Sequence, residues 1–177
     1  MSNDLSPNDR TVLDRLLTSL ARRLDGAIDM WTVVCLGSLP TDRRGFLLHY
    51  GGVVQAFVAV TEAVTAEIPR ARDEQVSHRL EAIAAGCRAF QNAFLTLECF
   101  RTLPLEEVRE TTEKVATLYN QIREEIRQLG NHLGISLTYW EGRIPEREEY
   151  HQKILRGLFD QFRHELGVQP ATASSTA

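Results

Sequence analysis

Residues 73–97 read DEQVSHRLEAIAAGCRAFQNAFLTL, and this stretch decides the fold. Asp73 stands directly before the run and is a favourable residue for the N-cap of a helix. The apolar residues that follow recur alternately four and three positions apart, at Val76, Leu80, Ile83, Cys87, Phe90, Phe94 and Leu97. This heptad spacing is typical of helices that pack side by side with interlocking side chains. The stretch therefore predicts a long helix packed along its length against a second one.

The second helix of that pair follows after a joint of four residues, RTLP (101–104). Pro104 favours a helix start, because proline is tolerated in the first turn. The same heptad seam then runs through Val108, Thr112, Val115, Tyr119, Ile122, Ile126, Leu129 and Leu133. A joint this short predicts an antiparallel hairpin over 73–134, which forms the spine of the fold.

The N-terminal part predicts one more helix before the spine is reached. Ser6-Pro7-Asn8-Asp9 combines a capping residue, a proline in the first turn and an acid three residues after the cap. An apolar stripe follows at Leu13, Leu16, Leu17, Leu20 and Leu24. Asp25-Gly26 either ends this helix or allows it to continue toward Trp31 and Leu36.

A further helix is predicted from near Phe46, after a loop over 37–45, to a point before Pro69, because the residue before a proline disfavours helical geometry. Its apolar residues surround much of its circumference, which predicts the most buried helix of the set. Gly51-Gly52 costs about 1 kcal/mol per glycine inside a helix. The pair therefore predicts either a local break or a close approach by another backbone.

A fifth helix is predicted from Pro145 to Leu166, with an apolar stripe at Tyr150, Ile154, Leu158, Phe162 and Leu166. The segments MWTVVCLG (30–37) and ISLTYWEG (135–142) are rich in β-branched and aromatic residues, so a two-stranded ribbon at one end of the bundle is an alternative for them. The fold expected is an all-α, up-down bundle of about five helices in a single domain over 1–167. Residues 168–177 have the composition of a disordered tail.

Composition excludes several classes of protein. Charged residues make up 25% and the net charge is -4, so the chain lacks a global basic field for nucleic acid. The three cysteines have no CxxC spacing and the N-terminus has no apolar signal region, which favours a cytoplasmic protein. The most apolar run, over 45–64, is interrupted by His49, Gln55 and two glycines, so no membrane span is expected.

A metal centre is not expected either. Di-iron bundles need a Glu-x-x-His motif on each of two helices. Glu148-Glu149-Tyr150-His151 supplies one such motif, and the sequence contains no second one on an inward-facing seam. We therefore predict no metal and no cofactor.

Nucleophilic catalysis is also disfavoured. Cys87 lies in the middle of an apolar seam, where a thiol acts as a small hydrophobic group with a raised pKa. No nucleophile elbow, phosphate-binding loop or dinucleotide motif occurs in the sequence. The sequence shows no inward-facing cluster of polar groups that would support catalysis.

The stretch RQLGNH (127–132) carries the sharpest functional alternative. An Arg-x-x-x-x-His motif near the end of a helix in an all-α chain resembles the HEPN superfamily, and the resemblance covers about the last sixty residues. It implies metal-independent RNA cleavage in a cleft between two subunits. By that resemblance, Arg127 would stabilise the developing charge on the phosphate and His132 would act as general acid or base. The competing interpretation is a helix C-terminus whose carbonyls are complemented by the two side chains.

The function expected from these patterns is a non-catalytic interaction protein, such as an adaptor, a small subunit or a regulatory bundle that binds a protein partner or itself. The first alternative is the ribonuclease with Arg127 and His132. A third is a small-ligand sensor, with His49, Tyr50, Trp31 and Trp140 as weak candidates for binding residues. Nucleic acid is an expected partner only under the ribonuclease alternative.

Overall fold

The computed structural model describes residues 6–35, 43–100 and 102–137, and this part of the chain is almost entirely helical. Its elements are α1 (Pro7–Cys35), α2 (Arg43–Glu67), a short 3-10 turn (Ile68–Arg70), α3 (Glu74–Leu97) and α4 (Leu105–Leu133). No strand occurs within these residues. The all-α prediction is therefore confirmed. The predicted fifth helix, Trp140, the C-terminal tail and the end of the domain at 167 lie outside the described residues.

The four helices contact one another in a ring, in which α1 and α3 each contact both α2 and α4. Residue numbers rise along one helix of a pair as they fall along its neighbour. The pairs that show this are Tyr50–Phe94 and Phe57–Phe90 for α2 and α3, Arg79–Glu125 and Asp73–His132 for α3 and α4, and Arg10–Gly134 and Asp25–Tyr119 for α1 and α4. Adjacent helices in each of these pairs are therefore antiparallel.

The hairpin of α3 and α4 follows the sequence prediction closely. Every predicted seam residue of both helices is buried. The Asp73 carboxylate caps α3 by accepting hydrogen bonds from the backbone N–H groups of Gln75 and Val76. Gly134 ends α4 in the left-handed conformation, with φ of 61°, which glycine adopts without steric cost. Local signals and packing agree throughout this hairpin.

Helix α1 starts as predicted and is longer than a break at Asp25-Gly26 would allow. The Ser6 hydroxyl accepts a hydrogen bond from the Asp9 backbone N–H and donates one to the Asp9 carboxylate. The helix then continues without interruption to Cys35. The two-stranded ribbon is therefore wrong for 30–35. Trp31 is buried and meets Phe100 edge-on at 5.6 Å between ring centres, so tertiary packing overrides the β propensity of this segment.

Helix α2 departs most from prediction. It begins at Arg43 rather than near Phe46, so 43–45 belong to the helix and not to a loop. Among the residues whose side chains are described, α2 is also not the most buried helix: of a window of 18 residues within Tyr50–Arg70, 17% are buried. The physical reason is that its apolar residues surround the helix, whereas α1 and α3 contact only part of its circumference.

The glycine pair on α2 also behaves differently from the prediction. The helix is unbroken at Gly51 and Gly52, and a Cβ atom built at either position would meet no atom of the described residues within 4 Å. Gly86 on α3 shows the contrast, because a Cβ atom there would lie 2.8 Å from Ile122 Cγ1. Close packing between helices explains Gly86, and no contact among the described residues explains Gly51-Gly52.

Candidate functional site

The two residues of the RQLGNH motif occupy opposite sides of one continuous helix. Helix α4 runs without a break through Arg127, Gly130 and His132. Five residues of α-helix turn about 500°, so the side chains of Arg127 and His132 leave the axis about 140° apart. Gly130 therefore does not bring them together, and each side chain has a different partner.

His132 lies in the last turn of α4 and contacts the residue that caps α3. Its Nε2 atom is 3.0 Å from Asp73 Oδ2, and both side chains are partly buried. The hydrogen bond with His132 is the largest cause that lowers the pKa of Asp73, and the two backbone N–H donors lower it further. The pair therefore joins the N-terminus of α3 to the C-terminus of α4.

Arg127 binds an acid of its own helix. Its Nε and Nη2 atoms donate to the two carboxylate oxygens of Glu124 at 2.8 and 2.5 Å, and Gln128 donates to the same carboxylate. These bonds from Arg127 and Gln128 lower the pKa of Glu124 to about 2. Arg79 on α3 donates to Gln128, so this exposed network also connects the two helices of the hairpin.

Two of the four residues predicted to bind a small ligand, Tyr50 and Trp31, have described side chains. Tyr50 is fully buried, stacks on Phe94 at 4.6 Å between ring centres and donates its hydroxyl to the Phe94 carbonyl. Burial raises the pKa of Tyr50 strongly, so its phenol stays neutral. The buried Trp31 Nε1–H has no acceptor among the described residues. The side chain of His49 and all of Trp140 lie outside the described part of the chain.

A buried polar cluster joins α1 to α4, although the sequence indicated none. The Tyr119 hydroxyl donates to the Asp25 carboxylate at 2.6 Å, and the Arg123 guanidinium lies 6.0 Å from the centre of the Tyr119 ring. Asp25 is 1% exposed and Arg123 is 8% exposed. The sequence patterns did not predict this cluster. The signal that could have revealed it is Tyr119 itself, because a buried phenol in a seam needs a hydrogen-bond partner.

The thiol and metal chemistry of the described residues is limited. Cys87 is fully buried, and burial raises the pKa of its thiol to about 12. The sequence-based interpretation of Cys87 as a core residue is therefore confirmed. Residues 6–35, 43–100 and 102–137 contain no group of three or more His, Cys, Asp and Glu side chains placed to hold a metal ion.

A surface of α2 points away from the other described helices. It consists of Gly52, Gln55, Ala56, Ala59 and Ala63, which lie opposite the buried Tyr50 and Phe57 on the helix, and we call it the exposed side of α2. Its members are exposed or half-buried. Tyr50–Arg70 is also long and apolar enough to cross a membrane, by length and composition alone. No other helix among the described residues meets this criterion.

A groove runs between α2 and α3 beside that surface. It has a volume of about 560 Å³. We call it the α2–α3 groove, and its lining consists of Val58, Thr61, Glu62, Thr65, Ala66, Arg88, Gln91 and Asn92. Thr61, the one buried residue of this lining, donates its hydroxyl to the Phe57 carbonyl at 2.9 Å.

Comparison with known proteins adds no further constraint on these surfaces. No protein-family model, curated protein or solved structure matches the chain significantly. The function must therefore be argued from the geometry of the chain itself.

Proposed function

We propose that this chain is a cytoplasmic, non-catalytic interaction protein, an adaptor, small subunit or regulatory bundle, and that the exposed side of α2 binds a protein partner or a second copy. The proposal includes the five-helix, up-down form of the bundle in a single domain over 1–167.

The observation that carries the proposal is the mismatch between the composition of α2 and its burial. Its residues are the most apolar, on average, of the four described helices, yet few of those from Tyr50 onward are fully buried. Apolar surface removed from water contributes about 25 cal/mol per Å², so a helix of this composition is stabilised when its open side is covered. Between Tyr50 and Ala66 the only charged residue is Glu62, and depletion of charge is typical of the centre of an interface.

The polar clusters support a structural role better than a catalytic one. Asp25 and Arg123 are buried, and the buried thiol of Cys87 is kept neutral by its surroundings. Arg127 and His132 bind different carboxylates on different sides of α4. Asp25 and His132 connect different helices, and Arg127 connects two turns of α4, which is what a rigid binding scaffold requires.

The experiment that tests the proposal uses two matched carboxylate substitutions in the full chain. Ala59→Glu places a charge on the exposed side of α2, and Thr117→Glu places the same charge at an exposed position of α4. Burying that carboxylate in an interface is unfavourable when no opposite charge pairs with it. Each tagged variant is cross-linked in cells of the source organism, and the cross-linked proteins are identified by mass spectrometry.

We expect a specific partner, or an untagged second copy, to be recovered with the wild type and with Thr117→Glu and to be lost with Ala59→Glu. Recovery of the same partner with Ala59→Glu would show that the interface lies on another surface of the protein. Recovery of nothing with any variant, together with a strict monomer in light scattering at high concentration, would refute the proposal.

A further inference from the structure

Two opposite charges line the α2–α3 groove, one on each wall. Glu62 lies on α2 and Arg88 lies on α3, and both side chains are exposed. Neither makes a hydrogen bond or an ion pair with any described residue. Across the neighbouring pair of helices, by contrast, Arg79 of α3 binds Glu125 of α4 at 3.0 Å. The groove therefore presents a carboxylate and a guanidinium that are not joined to each other.

The level of these two charges follows from the contact between α2 and α3. The Thr61 hydroxyl lies beside the Cys87 thiol where the two helices touch. Glu62 and Arg88 each follow one residue later, and one residue turns an α-helix by about 100°. Because the two helices are antiparallel, this step turns both side chains toward the same side of the helix pair. Glu62 and Arg88 are therefore at the same level of one groove.

Two side-chain amides lie next to Arg88 on the α3 wall. Gln91 and Asn92 follow Arg88 by three and four residues, so they lie one helical turn further along α3. Gln91 is half-buried and Asn92 is exposed, and neither side chain has a hydrogen-bond partner among the described residues. A side-chain amide can donate and accept hydrogen bonds at the same time, as a peptide group does. This wall is therefore suited to bind the peptide groups of a ligand.

The hydroxyl groups of the lining are used within α2. Thr61 donates to the Phe57 carbonyl and Thr65 donates to the Thr61 carbonyl, each at 2.9 Å. Among the described residues, the lining leaves four polar side chains without a hydrogen-bond or ion-pair partner: Glu62, Arg88, Gln91 and Asn92. The groove volume of about 560 Å³ lies within the range of about 300–1,000 Å³ that is typical of small-ligand sites. The ligand is therefore expected to be small, polar and charged at two places.

We infer that the α2–α3 groove binds a short peptide with free ends, with its ammonium group at Glu62 and its carboxylate at Arg88. The amides of Gln91 and Asn92 bind its peptide groups. A guanidinium binds a carboxylate through two parallel hydrogen bonds, which fixes the direction of the peptide. A simple anion would meet the Glu62 carboxylate and a simple cation would meet the Arg88 guanidinium, so a ligand with both charges is favoured.

Titration of the isotope-labelled full chain with triglycine tests this inference, with the backbone amide shifts followed by NMR. Triglycine has no side chains, so it isolates the two charged ends and the peptide groups. N-acetyltriglycine lacks the ammonium charge, and triglycine amide lacks the carboxylate. Glycine carries both charges but has no peptide group, so it separates a free amino acid from a peptide.

We expect triglycine to shift the backbone amides of the groove lining in a saturable way and to bind more tightly than glycine or either blocked peptide. The absence of saturable shifts, or shifts confined to other helices, would overturn the inference. Glycine that binds as tightly as triglycine would show that the amides play no part, and this result would overturn the assignment to a peptide.

Glu62→Gln and Arg88→Gln identify the group that each end of the peptide binds. We expect Glu62→Gln to weaken triglycine binding about threefold and to leave N-acetyltriglycine binding unchanged, because only a free ammonium group loses its partner. Arg88→Gln should weaken triglycine binding by a similar factor and leave the binding of triglycine amide unchanged. Since both side chains are exposed, neither substitution should change the melting temperature by more than a few degrees.

Glu81→Gln is the matched control, because Glu81 is an exposed acid of α3 that does not line the groove. It should leave the binding of triglycine unchanged. Equal weakening by all three substitutions, or weakening by Glu62→Gln that persists with N-acetyltriglycine, would overturn the inference. The partner-binding test with Ala59→Glu is separate, because Ala59 does not line the groove. The two proposals therefore succeed or fail independently.

Discussion

Helix α2, with 25 residues, is similar in length to the helices of the α3–α4 hairpin, with 24 and 29 residues, but the described chain accounts for it less completely. In the hairpin, each heptad residue is buried and the close approach at Gly86 has a visible neighbour in Ile122. In α2, most of the apolar residues from Tyr50 onward are not fully buried, and the glycine pair has no neighbour within 4 Å among the described residues. Hydrophobic periodicity thus identifies the side of a helix that packs, whereas an apolar composition around a whole helix does not say what covers it.

The largest effect is expected in the hairpin. Phe90 is 1% exposed and contacts the rings of Phe57 and Phe94 at 5.2 and 5.7 Å between centres. Phe90→Ala should reduce the free energy of unfolding by ~3–5 kcal/mol, because it leaves a large cavity. Val12→Ala, at an exposed site, should cost less than ~1 kcal/mol. Denaturant unfolding measures both, and equal losses would show that the seam register is wrong.

The buried polar cluster should rank next. Asp25→Ala removes the acceptor of the Tyr119 hydroxyl and should lower the free energy of unfolding by roughly 3 kcal/mol, because buried polar groups are left without a partner. Asp25→Asn keeps an oxygen acceptor in the same place and should cost less. Chemical denaturation of the two variants checks this order, and an alanine variant as stable as the asparagine variant would contradict it.

A smaller effect is expected at the end of α4, where His132 contacts Asp73. His132→Ala should lower stability by only ~0.3–1 kcal/mol, which is typical of a side chain at a helix terminus. Purified wild type and variant should both leave RNA intact in EDTA. Cleavage by the wild type that disappears in His132→Ala, with an unchanged melting temperature, would instead establish the metal-independent ribonuclease.

The smallest effect is a difference in acid stability. The pKa of Asp73 is lowered below its ordinary value of 3.8, chiefly by the hydrogen bond with His132. A carboxylate with a depressed folded-state pKa stabilises the fold above its unfolded pKa, and that contribution is lost as the pH falls through the folded-state value. Asp73→Asn retains a capping residue but not the charge, so its stability should decline less than that of the wild type below about pH 4. Melting curves between pH 3 and 6 measure the difference, and parallel declines would exclude a role for the charge.

The hairpin could be predicted in detail from sequence because its caps, joint and heptads all indicate the same structure. Asp73, Pro104 and the seam residues each carry a local signal, and the structure adds no conflict. The contact between His132 and Asp73, 59 residues apart, has no such signal, because it depends on how two helix ends are placed. The buried hydrogen bond of Asp25 could not be predicted from sequence for a related reason. Beside Gly26 it resembled a helix break, and only its packing against α4 shows that it is a buried acceptor.

Sequence patterns predicted that α2 is the most buried helix, and the structure instead leaves the exposed side of α2 open. Our central proposal is that this side binds a partner. Amide hydrogen exchange on the full chain tests that claim directly, with the protein alone and in the assembly recovered by cross-linking. We expect amides of Tyr50–Glu67 to exchange faster than those of α3 in the free chain and to become slow in the assembly, while those of α4 do not change. Amides of α2 that are as protected as those of α3 in the free chain, and unchanged by assembly, would contradict it.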